Sequence, residues 1–252
     1  MATKEQSVTL LRKNKQAQVQ ALTDIGFKGL DEGMRASLFP MYVKWASGLL
    51  DLTIAANRRS DNKKFFFTLG EWQSLSATEQ GLFLLRGVRV RAYGQSFVIA
   101  PDNISDQAWG PQGMYTPSAN VWLYGGNGIL CWWDAWNETH KNIDFFGDGK
   151  CPASEAAIAY KAFTIADGLE DDSEWCLPSP AHMIIIFRLK AQIDEIFSTV
   201  WSSVAAIRPA NYWTCLAAYG GGQNAYVYNM AQGAVLSQTR SNSLTVRPIS
   251  LI

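Results

Sequence analysis

Few residues of this chain have the types and spacing that acid or base catalysis needs. The 252 residues include only two histidines, His140 and His182, and neither has a partner at a catalytic spacing. Glu138 lies two residues before His140 in the stretch NETH, which fits acid–base work or an ordinary loop. Asn137 in the same stretch has the glycosylation pattern, but no apolar signal segment is found at the N-terminus. We expect a loop here and no enzymatic activity.

The residue types that bind metals are also poorly spaced for that purpose. Asp144 and Asp148 lie in the glycine-rich stretch DFFGDGK, but their spacing does not match the EF-hand pattern. A solvated turn or a loop cation fits this stretch, and we predict no metal site and no cofactor. Four cysteines are far apart and form no CxxC pair, which predicts buried free thiols. They are Cys131, Cys151, Cys176 and Cys215.

Composition excludes several classes of partner. The formal net charge is +0 and the pI is about 6.7, so no overall field attracts phosphate or an anionic membrane. No apolar run approaches the ~18 residues that a membrane span needs. We therefore expect a globular protein that neither binds nucleic acid nor inserts into a membrane.

The N-terminal hundred residues predict helices followed by a hairpin. Apolar spacing indicates helices over about 5–25 and 34–56. Ser76 and Glu79 form a capping-box pattern, which predicts a short helix that ends near Arg86. The alternating stretch VRVRA and the β-branched stretch SFVIA then indicate two strands joined by a turn at Tyr93 and Gly94.

From about residue 101 the composition changes to Gly, Asn, Trp and turn residues, which predicts a domain boundary. Short strands are expected over 122–133, and a helix that Ser154 caps and Gly168 ends. A second helix starts in the stretch SPAHM. The chain ends in three strand-like stretches, AYVYNM, AVLSQT and SLTVRPI, with Gly233 at the first turn.

Three short motifs occur in a specific order in this C-terminal part. They are Trp175, Leu177 and Pro178; Tyr212, Trp213 and Thr214; and Val246, Arg247 and Pro248. In this order they resemble the C-type-lectin-like domain of bacterial and phage surface proteins, over about residues 101–252. The resemblance implies an α+β fold with two helices and short antiparallel sheets, preceded by a helical and β N-terminal region at 1–100.

The chain departs from the family pattern at three positions. Cys176 stands where the family more often has Arg or another large residue, and Cys215 where it has Ser or Thr. Ala217 replaces a residue that is commonly acidic in the family. The first departure bears on local packing, and the other two lie within the segment that the resemblance implies to vary.

The resemblance implies a binding protein rather than an enzyme. The family includes the variable proteins of diversity-generating retroelements, whose ligand-binding surface is rewritten by adenine-directed mutagenesis. The stretch RGVRVRAYGQSFVIA is similar to a segment that precedes this domain in proteins of gut-bacterial phages. The resemblance therefore implies a phage tail-fibre receptor-binding protein. Residues 1–100 would serve attachment and oligomerisation, and residues 101–252 would bind the ligand. Trp175, Trp213 and Arg247 are expected in the scaffold, Arg247 as a buried hydrogen-bond donor.

Adenine-directed change of an AAC or AAT codon leaves a pyrimidine at the third base, so Trp, Met, Gln, Lys and Glu cannot result. Trp213, Gln223 and Met230 are therefore expected to be fixed. Period-two alternation predicts that Val227 and Asn229 face outward, opposite the bulkier set that includes Tyr226 and Tyr228. The predicted ligand-binding surface comprises Thr214, Cys215, Leu216, Ala217, Ala218, Tyr219, Gly220, Gly221, Gly222, Asn224, Val227 and Asn229.

Three other interpretations stay open. Read without the resemblance, the stretch YGGGQ is a hairpin loop with glycines for positive φ. A non-diversified glycan-binding surface lectin is the alternative function, and a formylglycine-generating-type enzyme is a further one that needs two cysteines in a cleft. We expect a host cell-surface receptor, protein or glycan, as the partner and a homotrimer on the virion, or else a location on the bacterial cell surface.

Overall fold

The computed structural model describes residues 51–92, 95–114, 134–201, 206–218 and 222–252. Two β-sheets and six α-helices occupy these ranges, which confirms the α+β class. The strands are β1 (Asp51–Arg58), β2 (Lys64–Phe67), β3 (Phe83–Ala92), β4 (Gln95–Ile99), β5 (Ile104–Gln107), β6 (Trp175–Cys176), β7 (Asn211–Ala217), β8 (Asn224–Asn229), β9 (Ala234–Thr239), β10 (Leu244–Val246) and β11 (Ile249–Leu251). The helices are α1 (Leu69–Ser74), α2 (Ala77–Gln80), α3 (Ala135–Phe146), α4 (Pro152–Ala159), α5 (Pro180–Arg188) and α6 (Lys190–Val200).

The six-stranded sheet has the order β2-β1-β3-β4-β11-β6, and all of its strand pairs are antiparallel. Its register places Ile249 of β11 opposite Ile99 of β4 on one side and opposite Cys176 of β6 on the other. The C-terminal strand thus lies between strands from both predicted domains. The sheet crosses the predicted boundary at residue 101 without interruption, and an attachment role for residues 1–100 stays a prediction.

The five-stranded sheet has the order β5-β10-β7-β8-β9. Strands β10 and β7 are parallel, with Thr245 opposite Tyr212, and the other pairs are antiparallel. Helix α3 contacts β7, while α5 contacts both β7 and β8. One hydrophobic core joins the two sheets, and it includes Val90, Ile185 and Tyr228.

Local signals in the first sheet were partly right. The capping box is present, because the Glu79 backbone N–H donates to Ser76 Oγ at 3.3 Å and the Ser76 N–H donates to the Glu79 carboxylate. Strands β3 and β4 are also confirmed. However, α2 ends at Gln80 rather than near Arg86, because residues 83–92 pair with both β1 and β4.

The predicted helix over 34–56 is wrong in its described part, because Asp51–Arg58 is strand β1. This strand lies between β2 and β3, and its residues 53–57 are buried without alternation. A strand buried on both faces has no polar face to show period two, so its sequence does not distinguish it from a buried helix.

The helices of the C-terminal part agree with prediction at only one of their starts, that of α5. Helix α4 begins at Pro152, a position that favours proline, and ends at Ala159. Ser154 is therefore not its N-cap but a buried residue within it. Ser179 caps α5, as the stretch SPAHM suggests, and Leu189 separates α5 from α6.

Some predictions fall on other parts of the chain. The helix over 5–25, the strands over 122–133 and the turn at Tyr93 and Gly94 lie outside the described residues. Within the described ranges, no helix combines the length and the apolar character that crossing a bilayer requires.

Candidate ligand-binding surface

The candidate surface is built on β7, β8 and the connection between them. Tyr212 pairs with Tyr228 and Ala217 with Ala225, and the register is irregular between these two pairs. Beyond the pairing, the Ala218 N–H donates to the Asn224 carbonyl at 3.0 Å. The two strands therefore stay joined up to the last described residue before the connection.

Side chains from distant parts of the chain bind the β7 backbone. Trp109 Nε1 donates to the Thr214 carbonyl at 2.8 Å, and Asn142 Nδ2 donates to the Cys215 carbonyl at 2.9 Å. The Cys215 N–H in turn donates to the Pro178 carbonyl at 2.9 Å. All these contacts reach main-chain atoms, so they hold the path of β7 without depending on which side chains β7 carries.

Arg240 likewise holds the backbone at the start of β8 by a side-chain hydrogen bond. Its Nε donates to the Asn224 carbonyl at 3.1 Å, and its Nη1 donates to the carbonyls of Met114 at 2.8 Å and Pro111 at 3.3 Å. The guanidinium lies over the Trp109 ring, 4.8 Å from the centroid. Burial lowers its pKa to about 10, so the group remains positive at neutral pH and its charge faces carbonyl oxygens.

Gly222 is fixed by its backbone and by its surroundings. Its φ is +68°, and a Cβ at this position would lie 2.4 Å from the Met114 carbonyl oxygen. The close approach accompanies a hydrogen bond from the Gly113 N–H to the Gly222 carbonyl at 3.1 Å. Gly222 is buried, and its inclusion among the interchangeable surface residues is wrong, because only glycine fits here without strain.

The expected exposure is wrong for seven of the twelve predicted surface residues, of which Gly222 is one. Val227, predicted to face outward, is completely buried in the core, and so is its neighbour Tyr228. Over 224–227 the alternation is present, but the faces are opposite to those predicted, since Ala225 and Val227 are buried and Asn224 and Tyr226 are half-buried. The same burial applies to Thr214, Cys215, Leu216, Ala217 and Ala218.

The other predicted residues are placed differently. Asn224 and Asn229 are half-buried. Asn229 is engaged locally, since its Oδ1 accepts from the Gln232 N–H at 2.7 Å and its Nδ2 donates to Asn211 at 2.8 Å. Tyr219, Gly220 and Gly221 lie outside the described residues. Of the described candidates, only Asn224 keeps a solvent-facing side chain that is not committed to a turn.

The structure adds residues that the sequence patterns missed. Gln223, predicted to be fixed scaffold, has an exposed side chain, although its carbonyl accepts from the Arg240 N–H at 3.0 Å. Tyr226 is half-buried rather than wholly internal. Across the β8–β9 ladder, Asn224 lies opposite Thr239 and Tyr226 opposite Ser237. Strand pairing, which the sequence does not show, is what brings these residues together.

The predicted scaffold residues are buried. Trp175 and Trp213 are at most 1% exposed. Arg247 is confirmed as a buried donor, since its Nη1 donates to Asn103 Oδ1 at 3.1 Å and its guanidinium lies 4.8 Å from the Phe197 ring centroid. Its burial lowers its pKa to about 10.

The described cysteine side chains and His140, the candidates for catalysis, are buried or pack against a neighbouring ring. Cys151, Cys176 and Cys215 are buried thiols, as predicted, and burial raises the pKa of Cys151 to about 12. Cys131 lies outside the described residues. The stretch NETH, predicted to be a loop, lies within helix α3, where the His140 ring stacks on the Trp136 ring with their centroids 4.0 Å apart. Within the described ranges, no group of three or more His, Cys, Asp or Glu side chains is placed to hold a metal ion.

Comparisons with known proteins add a distant structural similarity. No family model matches the sequence, and no curated protein is significantly similar to it. A crystal structure of a fimbrial protein from Bacteroides ovatus aligns with 62% of this chain at 12% sequence identity and a TM-score of 0.42. The alignment covers 35% of that protein, so this chain corresponds to about a third of its length.

Proposed function

We propose that this chain is a receptor-binding protein of a phage tail fibre, in which a C-type-lectin-like scaffold displays a diversified surface around the β7–β8 connection. The proposal assigns no catalysis to the chain. The three sequence motifs that resemble the lectin-like family support it, because Trp175, Trp213 and Arg247 are all buried.

The observation that carries the proposal is how the β7–β8 backbone is held. Trp109, Asn142 and Arg240 lie outside the segment and donate to its carbonyl groups. Side chains on the connection can therefore change without loss of these hydrogen bonds. A surface that varies on a fixed frame is the arrangement that paratopes use.

The proposal covers a smaller set of residues than the sequence patterns suggested. In the described ranges it centres on Asn224 and Tyr226, with Ser237 and Thr239 opposite them. By sequence it also includes residues 219–221, at the middle of the connection. In the assembled fibre, residues 1–100 provide attachment, and three copies of a weak site gain avidity for the host surface.

Binding to bacterial cells tests the function. The full chain, fluorescently labelled, is expected to bind at least one strain in a panel of gut bacterial isolates. A double variant, Gln223→Ala with Asn224→Ala, removes two solvent-facing amides and is expected to weaken binding at least about tenfold, or ~1.4 kcal/mol. Its melting temperature is expected to stay within about 2 °C, because surface substitutions rarely cost more than ~0.5 kcal/mol.

Gln73→Ala is the matched control, because it removes an exposed amide from α1. It is expected to bind cells like the original chain. Binding to no strain, or equal binding by the double variant, contradicts the proposed function. A reverse-transcriptase gene beside an imperfect repeat of codons 211–248 separates a diversified surface from a fixed lectin surface.

A further inference from the structure

Two long segments of this sequence contain no charged residue. Charged side chains make up 17% of the chain, yet Asp, Glu, Lys, Arg and His are all absent from residues 107–133 and from residues 209–239. Surfaces of soluble proteins ordinarily mix charges of both signs at ~25–35% of positions. Two such segments therefore call for a physical reason.

The fold brings the described parts of these segments together. Trp213 Nε1 donates to the Gln107 carbonyl at 2.7 Å, and the Gly113 N–H donates to the Gly222 carbonyl at 3.1 Å. Gln112 Nε2 also donates to Ser241 Oγ at 2.6 Å, just beyond the second segment. The described parts of the two segments are thus in contact, and the absence of charge belongs to one connected region of the described fold.

Where the two segments meet, the solvent-facing side chains are mostly amides and hydroxyls. We define the uncharged surface as eight exposed or half-buried residues. They are Gln112, Met114, Gln223, Asn224, Tyr226, Ser237, Thr239 and Ser241. Arg240, which lies among them in sequence, is completely buried and its guanidinium faces carbonyl groups.

This chemistry selects among ligand classes. A charged ligand, such as an acidic glycan, is bound most strongly by side chains of opposite charge, and the uncharged surface has none. Protein interfaces are usually anchored by large apolar and aromatic side chains at their centre. Among the eight, which all belong to the described part of the chain, Met114 is the one apolar side chain without a ring and Tyr226 the one aromatic.

The hydroxyl groups of a neutral sugar suit the amide and hydroxyl side chains of the uncharged surface. A hydroxyl both donates and accepts hydrogen bonds, and the amides of Gln223 and Asn224 also do both. Thr239 lies directly opposite Asn224, and Ser237 opposite Tyr226. Side chains that can donate and accept hydrogen bonds are therefore neighbours across the two strands. Tyr226 adds a flat apolar ring with a polar tip, which suits one face of a sugar ring.

We infer that the uncharged surface binds an uncharged carbohydrate, a neutral hexose or N-acetylhexosamine glycan of the host cell surface. This inference rests on the proposed function and names the class of receptor. Since no ion pair forms, binding is insensitive to salt, unlike recognition of an acidic glycan.

The test uses the full chain on a panel of immobilised oligosaccharides, half of them neutral and half sialylated or sulfated. We expect binding to at least one neutral glycan, with a Kd that changes less than about twofold between low and high salt. Asn224→Asp keeps the side-chain shape but removes the amide donor and adds charge, and Thr239→Val removes the hydroxyl. Each is expected to weaken glycan binding at least about fivefold, whereas the control Gln73→Glu is not.

Treated bacterial cells distinguish failure of this inference from failure of the proposed function. Periodate, which destroys sugar rings, is expected to abolish cell binding, and protease treatment of the cells is not. Binding to acidic glycans alone, or a steep salt dependence, overturns the neutral class. Cell binding that protease abolishes and periodate spares overturns a carbohydrate receptor and leaves the proposed function standing. If none of the variants changes binding, both the inference and the proposed function are overturned.

Discussion

Gly222 and Gly149 have similar positive φ angles, +68° and +73°, but different surroundings. A Cβ at Gly222 would meet the backbone of Met114, while a Cβ at Gly149 would have no atom within 4 Å. The pair therefore separates the cost of a left-handed backbone from the cost of steric overlap. The close approach of Gly222 to Met114 is also what joins the two uncharged segments.

We predict that Gly222→Ala destabilises the protein far more than Gly149→Ala. The control should cost about 1 kcal/mol of unfolding free energy from the backbone alone. Gly222→Ala adds an overlap with a backbone that cannot move away, and should cost about 3 kcal/mol in total. Denaturant unfolding of both variants measures the difference, and equal costs would show that Met114 does not lie against Gly222.

Val227 shows which part of the site the sequence could not provide. Its alternation with Tyr226 is real, but alternation alone does not say which face of a strand is solvated. Val227 is buried while Asn224 and Tyr226 are half-buried, so the solvated face is opposite to the one predicted from side-chain bulk. Gly222 is the opposite case, since the simplest interpretation of a glycine, positive φ, is the correct one there.

Helix α5 is an element that is buried almost all round. Residues 180–186 are all buried, and among them His182 is the one ionisable side chain. Its Nδ1 lies 2.7 Å from Ser179 Oγ at the helix N-cap, and burial lowers its pKa to about 3. The helix therefore folds with a neutral imidazole inside it.

A pH dependence of stability follows from this helix. An unfolded histidine has a pKa near 6.5, so below that pH the unfolded chain binds a proton that the folded chain does not. As far as His182 is concerned, the free energy of unfolding thus has its full value above pH 6.5. It falls as the pH decreases towards 4, by up to ~1.4 kcal/mol per pH unit. We predict that His182→Gln removes this slope between pH 6.5 and pH 4, as measured by urea unfolding at each pH. A slope that persists unchanged would assign the dependence to other groups.

Elements with strong local signals could be predicted, and elements set by partners could not. The capping box at Ser76 and the stretch after Ser179 specify helix starts through contacts within four residues. Strand β1 and the start of β3 depend on strands that are distant in sequence, so a helical reading of 51–56 and of 81–86 failed. Helix α4 begins at Pro152 instead of after Ser154 because proline suits the first helical turn.

At the scale of the whole molecule, the sheets link the proposed binding surface to residues 51–99. Strand β11 follows closely on β10 of the second sheet, and it pairs with β4 and β6 in the first. One core spans both sheets. A ligand bound at the β7–β8 connection is therefore attached through packed elements, without a flexible joint in the described ranges, to residues 51–99.

The motifs that resemble the lectin-like family contribute to this scaffold rather than to the binding surface. Trp213 and Arg247 are buried, and each makes a hydrogen bond to the segment 103–107. The sequence could therefore indicate a frame, because its large aromatic and charged residues are specific. It could not indicate the surface, because small polar residues acquire their role only from the strands that pair beside them.

The most direct test of interchangeable side chains on a fixed backbone is a comparison of two libraries. One randomises residues 219–221 and 224, and the other randomises the buried residues Leu216, Ala217 and Val227. For each, the melting temperatures of sampled variants and the bacterial strains they bind are measured. We predict that most variants of the first library melt within a few degrees of the original chain and that some bind new strains. Most variants of the second library are expected not to fold. Loss of folding in the first library, or an unchanged range of strains, would contradict the account.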